Sequence, residues 1–185
     1  MLLLGVLAAQ AEGAVAAAGS YDLLETEILT GTQASVTFSS LNSTYGADYQ
    51  HLQLRMVAQS AEGGTGSGGV VSTLSFNSSA MTKNHYLYAN GSTVASGVSG
   101  TSGFLVNLVR SGSTDAFSAC VADILDPFNS SKNTTVRWLG GYPNELALSS
   151  NLWNSTTAVD SITVGVSVGN YSIGSRFSLY GLRSA

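Results

Sequence analysis

Residues Tyr49 to Ala58, YQHLQLRMVA, decide the fold class of this chain. Leu52, Leu54 and Met56 alternate with polar residues, so a two-residue period places them on one face of the stretch. This period is typical of a β-strand with one buried face and does not fit a helix, whose period is 3.6 residues. The stretch therefore predicts a strand that buries its aliphatic face and exposes the opposite, polar one.

The same alternation continues through the rest of the chain. Gly-, Asn- and Ser-rich stretches that favour turns separate the segments, at 42–48, 62–69, 90–97, 126–133 and 169–175. We therefore predict an all-β domain over residues 20–185, an antiparallel, jelly-roll-like β-sandwich, with an up-and-down barrel as the alternative. Strands are predicted at YDLLETEIL (21–29), QASVTFSS (33–40), VVSTLSFN (70–77), HYLYAN (85–90), GFLVNLV (103–109), AFSACVADILD (116–126), TVRWLGG (135–141), ELALSSNLW (145–153), DSITVGVSVG (160–169) and RFSLYGL (176–182).

The composition limits the classes of partner. Charged residues make up 10% of the chain, against roughly 25% in an average globular protein. The net charge is −4 and the seven Lys and Arg residues are scattered singly, without a basic stripe. We therefore expect no binding to nucleic acid, which needs a concentrated positive surface.

Candidate catalytic and ligand-binding groups are few, and each has a structural interpretation. Cys120 is the only cysteine, and the apolar residues on both faces of its segment predict a buried thiol in a strand covered on two sides. The only histidines, His51 and His85, lack partners at the spacing of a metal site or catalytic triad. Glu25 and Glu27 are interpreted as strand-edge acids. We therefore predict that the protein is not an enzyme and binds no cofactor or metal.

The first nineteen residues do not follow the strand pattern. A bilayer-spanning helix needs about 20 apolar residues, whereas Gln10 interrupts this run early. No Lys or Arg precedes Arg55, so the basic start of a secretory leader is missing. We therefore predict that residues 1–19 form an apolar anchoring arm, for which a helix is one form, that docks on neighbouring protein and not in a membrane, with a retained secretory leader as the alternative. The arm residues are Leu2, Leu3, Leu4, Val6 and Leu7.

Four aromatic residues form a candidate ligand surface. Tyr86, Tyr88, Trp138 and Trp153 lie in predicted strands and could stack on sugar rings, as in lectin-like sandwiches. Packing across strands explains the same residues equally well. Seven N-x-S/T triplets would be glycan sites in a secreted eukaryotic protein and are otherwise turn residues. They begin at Asn42, Asn77, Asn90, Asn129, Asn133, Asn154 and Asn170.

Several segments together resemble a known family. YDLLETEIL, YQHLQLRMVAQS, ACVADILDPFNSSKNTTVR and above all the closing SRFSLYGL are similar to a family of tailed-bacteriophage virion structural proteins, of the marine and cyanophage type. The likeness covers nearly the whole chain and includes the apolar start. The sequence departs from the family at FNSSA (76–80), where many relatives carry an Asn-Gly-Asp turn.

The resemblance implies a structural component of a phage particle. We expect a capsid decoration or cement protein, located in the virion, that docks by its arm and associates with itself, as a homotrimer, and with other virion proteins. Two alternatives remain open. One is a tail appendage or receptor-binding module that binds a host-surface glycan, and the other is a secreted lectin-like glycoprotein.

Deleting residues 2–18 tests the arm. We expect the shortened chain to fold and stay soluble but no longer to join particles, because the arm supplies the docking contact. Far-UV circular dichroism checks the fold, and purified particles are assayed for the chain. Unchanged incorporation would disprove the arm's role.

Overall fold

The computed structural model describes residues 21–64, 69–99, 103–112, 116–142 and 144–183. Within them the chain forms fourteen β-strands and one short helix, α1 (Leu41–Tyr45), which confirms the all-β prediction. The predicted arm, residues 1–19, lies outside this range. The strands are β1 (Tyr21–Ile28), β2 (Ser35–Phe38), β3 (His51–Ser60), β4 (Val71–Phe76), β5 (Ser79–Ala80), β6 (Lys83–Asn90), β7 (Thr93–Ser99), β8 (Phe104–Asn107), β9 (Val109–Arg110), β10 (Ser118–Leu125), β11 (Thr134–Tyr142), β12 (Glu145–Trp153), β13 (Ile162–Val166) and β14 (Arg176–Leu182).

The strands build two sheets, as expected for a β-sandwich. The larger sheet has the order β1-β14-β3-β10-β11-β12-β6-β7, and the short β9 pairs in parallel with β3. The smaller sheet has the order β2-β13-β4-β5, with β8 also paired to β4. All other pairs are antiparallel, and the chain crosses repeatedly between the sheets, so the antiparallel β-sandwich is confirmed.

The core lies between the two sheets and follows the alternation read in the opening stretch. Leu52, Leu54 and Met56 of β3 are buried, and so are Phe76 of β4 and Val164 of β13 from the opposite sheet. Because β3 sits between β14 and β10, its side chains meet core residues on both sides. At about 25 cal/mol per Å² of buried apolar area, this shared interior makes the dominant favourable contribution to folding.

Cys120 and its strand are predicted only in part. The thiol is buried, and burial raises its pKa to about 12, so it is a packed core group and not a nucleophile. The prediction of a second layer covering this strand is wrong, however. Val121, the next residue, is 41% exposed because β10 belongs to the larger sheet, whose second face has no layer against it among the described residues.

Two stretches predicted as turns have regular structure. NGSTVASG (90–97) contains a tight hairpin at Gly91, whose φ is 57°, and then continues as β7. Gly supplies this left-handed conformation at no steric cost. NSTYGAD (42–48) lies partly in α1, whose Leu41 is fully buried. Glu25 and Glu27 lie in β1 at one edge of the larger sheet, as predicted.

Tyr171 contacts both sheets, the smaller one through its buried hydroxyl and the larger one through its ring. Its hydroxyl donates to the carbonyl oxygen of Gly165 at 2.6 Å and lies 2.6 Å from Ser72 Oγ. Its ring packs edge-on against Phe177 of β14, with ring centroids 4.9 Å apart. Burial raises the pKa of the phenol above its ordinary value, so the folded protein holds Tyr171 in its neutral form.

Replacing Tyr171 with Phe tests this contact. We expect the free energy of unfolding to fall by about 1–3 kcal/mol, because two buried oxygens lose a partner. Urea denaturation at neutral pH measures the loss. Tyr180→Phe is the matched control, since no hydrogen bond to that hydroxyl occurs among the described residues, and its effect should stay within about 0.5 kcal/mol.

The same residue predicts a pH dependence. The pKa of Tyr171 is higher in the folded state than in the unfolded state. Its contribution to the free energy of unfolding is therefore complete below the unfolded pKa near 10 and is lost as the pH rises through the folded pKa. The decline in stability above pH 10 should therefore be smaller in Tyr171→Phe than in the unchanged chain.

Candidate interaction surface on the larger sheet

An aliphatic row crosses the exposed face of the larger sheet. Val121 of β10 lies opposite Leu139 of β11, Leu139 opposite Leu148 of β12, and Leu148 opposite Leu87 of β6. All four are between 41% and 52% exposed. Direct cross-strand partners lie about 4.5–5.5 Å apart at Cβ, so the four side chains form one continuous strip.

Further exposed aliphatic residues widen this strip. Val57 of β3, Leu146 of β12 and Val94 of β7 occupy the next row on one side, and Val98 of β7 lies on the other. We name the whole set the outer face. It consists of Val57, Leu87, Val94, Val98, Val121, Leu139, Leu146 and Leu148.

Polar side chains line one wall of a shallow cavity on the outer face. Asp123, Arg137, Ser150 and His85 follow one another across β10, β11, β12 and β6. Together with the aliphatic row they line a concave space of about 920 Å³. A largely apolar floor with a few polar groups on one side is the usual composition of a binding site.

The polar groups at the β3 end of this face are already engaged with one another. Asp123 Oδ1 accepts a hydrogen bond of 2.7 Å from Gln53 Nε2, and Gln53 Oε1 accepts one of 2.7 Å from Arg55 Nε. The Arg55 guanidinium lies 4.2 Å from the centre of the Tyr180 ring, a cation–π contact. This network borders the outer face and holds Asp123 in place.

A second titratable cluster stabilises a turn. His51 Nδ1 accepts the backbone N–H of Asp126 at 3.0 Å, and Lys132 Nζ lies 2.6 Å from Asp126 Oδ2. Burial alone would raise the pKa of Asp126, but hydrogen bonds from Lys132 and Gln50 outweigh it and lower the pKa. These contacts hold Asp126 at a left-handed φ of 51° at the end of β10. Among the described residues, no three His, Cys, Asp or Glu side chains form a group that could hold a metal ion.

The predicted aromatic ligand surface is wrong for both tryptophans. Trp138 and Trp153 are each 3% exposed and belong to the core, where Trp153 packs edge-on against Phe76 with ring centroids 5.7 Å apart. Tyr86 and Tyr88 are partly exposed neighbours with ring centroids 6.1 Å apart. All four lie on the face of the larger sheet that is turned to the core, where the tryptophans are enclosed and the tyrosines only partly covered, so they do not form one exposed surface.

The outer face was not identified from the sequence, and the arm residues Leu2, Leu3, Leu4, Val6 and Leu7 lie outside the described range. A signal for the face did exist. In ELALSSNLW and in AFSACVADILD, both alternating sets of positions contain aliphatic residues. That pattern predicts a strand covered on both faces, and here only one face is covered within the described chain.

Tryptophan fluorescence checks the burial of both rings. We expect a short-wavelength emission maximum and weak quenching by acrylamide in the folded protein, because Trp138 and Trp153 are the only tryptophans and both are enclosed. The urea-unfolded chain is the control and should be quenched strongly. Equal quenching in both states would contradict the structure.

Comparisons with known proteins add no family to this geometry. No protein-family model, curated protein or solved structure matches the chain. The one helix within the described residues is far too short to cross a membrane. The outer face and the sequence pattern are therefore the features that bear on function.

Proposed function

We propose that this protein is a structural component of a bacteriophage virion, a capsid decoration protein that docks against neighbouring subunits. The sequence pattern, with its closing SRFSLYGL, supports the class of protein. The observation that supports docking is the outer face, where eight exposed aliphatic residues lie side by side on one sheet. Such a patch on a soluble protein is typical of a surface that contacts other protein.

The size of the outer face suits a protein interface. The eight residues are each between 41% and 72% exposed and form an apolar patch on the order of several hundred Å². The largest apolar patch on a typical monomer is about 300–600 Å², and a standard interface buries about 800 Å² per partner. The outer face is therefore large enough to form the centre of a stable contact.

The charge distribution supports the same function. Interface centres are depleted of charged residues, and the charged side chains on this side of the sheet, Arg55, Asp123, Arg137 and Arg176, border the aliphatic residues of the outer face. Asp123 and Arg137, of opposite sign, adjoin it as direct cross-strand partners. A packed neighbour would therefore bury little unpaired charge.

A receptor-binding tail module is the second candidate. The cavity of about 920 Å³ favours it, because Arg137, Ser150 and His85 present donors and acceptors beside an apolar floor. A host-surface glycan requires such polar groups at fixed positions. The homotrimer and the lectin-like alternative remain predictions from the sequence alone.

The number of copies per virion distinguishes the two candidates. We expect hundreds of copies, because a decoration protein occupies a site that is repeated over the whole capsid. Quantitative mass spectrometry of purified particles, with the major capsid protein as internal standard, gives the ratio. A handful of copies would instead support the tail module.

A double substitution on the outer face tests docking directly. Leu139→Asp with Leu148→Asp should abolish incorporation into particles, because docking would bury two carboxylates in an apolar contact. Both side chains are about half exposed, so the fold should persist, as circular dichroism would show. Val168→Asp with Ile173→Asp is the matched control, since these exposed residues lie between β13 and β14, away from the outer face. Equal incorporation of both variants would contradict the proposal.

A further inference from the structure

The larger sheet ends in two strands with very different edges. β1 lies at one end of the sheet and β7 at the other, and each pairs with one neighbour among the described residues. An edge strand presents backbone N–H and C=O groups that can pair with another chain. Proteins usually protect such edges with charges, prolines or bulges.

The edge formed by β1 has this protection. Asp22, Glu25 and Glu27 place three carboxylates along its eight residues. Its pairing with β14 is also irregular, with a register shift between Leu23 and Glu25. Charge and irregularity both oppose the addition of a further strand.

The edge formed by β7 has none of these features. Its sequence, TVASGVS, contains no charged residue and no proline. It pairs with β6 in regular register over all seven residues, from Thr93 opposite Asn90 to Ser99 opposite Asn84. Val94 and Val98 are 72% and 65% exposed, more than any other described large hydrophobic residue on the sheet.

We propose that β7 pairs, antiparallel, with β7 of a second copy of this chain, around a two-fold axis at Ser96. This register places Val94 of each copy opposite Val98 of the other, so the most exposed pair becomes an apolar cross-strand contact. The strand has no charge, so self-pairing sets no like charges against each other. The heterologous pairing of β7 with β1 would instead meet the carboxylates and the bulge.

The two-fold contact goes beyond the proposed function, because it concerns the isolated protein and not its place in a particle. It joins two larger sheets edge to edge and therefore makes the two outer faces continuous. In this arrangement the outer face stays available to a third molecule. The trimer predicted from the sequence would need a different contact.

The mass in solution provides the first test. Sedimentation of the 19.0 kDa chain should show a dimer of about twice that mass. Val94→Lys with Val98→Lys places like charges opposite each other at two positions and should weaken the dimer at least about tenfold. Val94→Lys with Val98→Glu carries the same number of charged groups but pairs opposite signs, and should keep the dimer.

A cross-link provides the second test. Ser96→Cys places two thiols at the axis, where directly opposed residues have Cα atoms about 4.5–5.5 Å apart, within disulfide range. The variant should form a covalent dimer on mild oxidation. Ser150→Cys, exposed on β12 of the same sheet, is the control and should stay monomeric on a denaturing gel. Cys120 is buried and should not compete.

Each result decides the proposal. A monomer at high concentration without a Ser96→Cys cross-link would overturn it, and so would an oligomer that both charged variants leave unchanged. Dissociation of both variants to the same degree would show that Val94 of one copy does not lie opposite Val98 of the other. Leu23→Lys on β1 is the control for an added edge charge and should not change the mass. Failure of particle docking would leave these measurements unaffected, so the two proposals fail separately.

Discussion

The alternation of side chains along β3 is the constraint on which the rest of the structure depends. Because side chains of a strand point to opposite faces in turn, burying Leu54 and Met56 turns Arg55 outward. Directly paired residues point to the same face of a sheet, so Val121 of β10, which lies opposite Arg55, also points outward. The same rule fixes the orientation of the side chains in each further strand. The outer face is therefore the opposite side of the same strands whose inner side forms the core. A one-residue slip in any pair would exchange the two sides.

Most strands could be predicted because their periodicity is local, whereas β7 could not. In β3 and β14, aliphatic and aromatic residues repeat every second position, so a few residues suffice to identify the strand. TVASGVS contains Gly97 and three small residues and follows an Asn-Gly turn, so local preference favours a loop. It is a strand because β6 pairs with it along its whole length. Local residue preferences carry no information about that pairing.

The candidate site shows where sequence reasoning stops. Trp138 and Leu139 are adjacent and both apolar, and alternation demands that one point inward without saying which. The inward choice for Trp138 follows from the layer above it, because the smaller sheet covers that side of β11 and leaves Leu139 half exposed. The carbohydrate-binding hypothesis needed the opposite orientation. Which side of a strand is covered depends on where the other sheet lies, and that position is known only from the folded structure.

The enclosure of Cys120 has a consequence for where the protein can persist. The chain has one sulfhydryl group, sealed in the interior, so it has no covalent bond to form or break when the redox potential around it changes. It can be synthesised in a reducing cytoplasm and later meet an oxidising medium with the same covalent structure throughout. Folding of the chain then needs no enzyme that forms or rearranges disulfides.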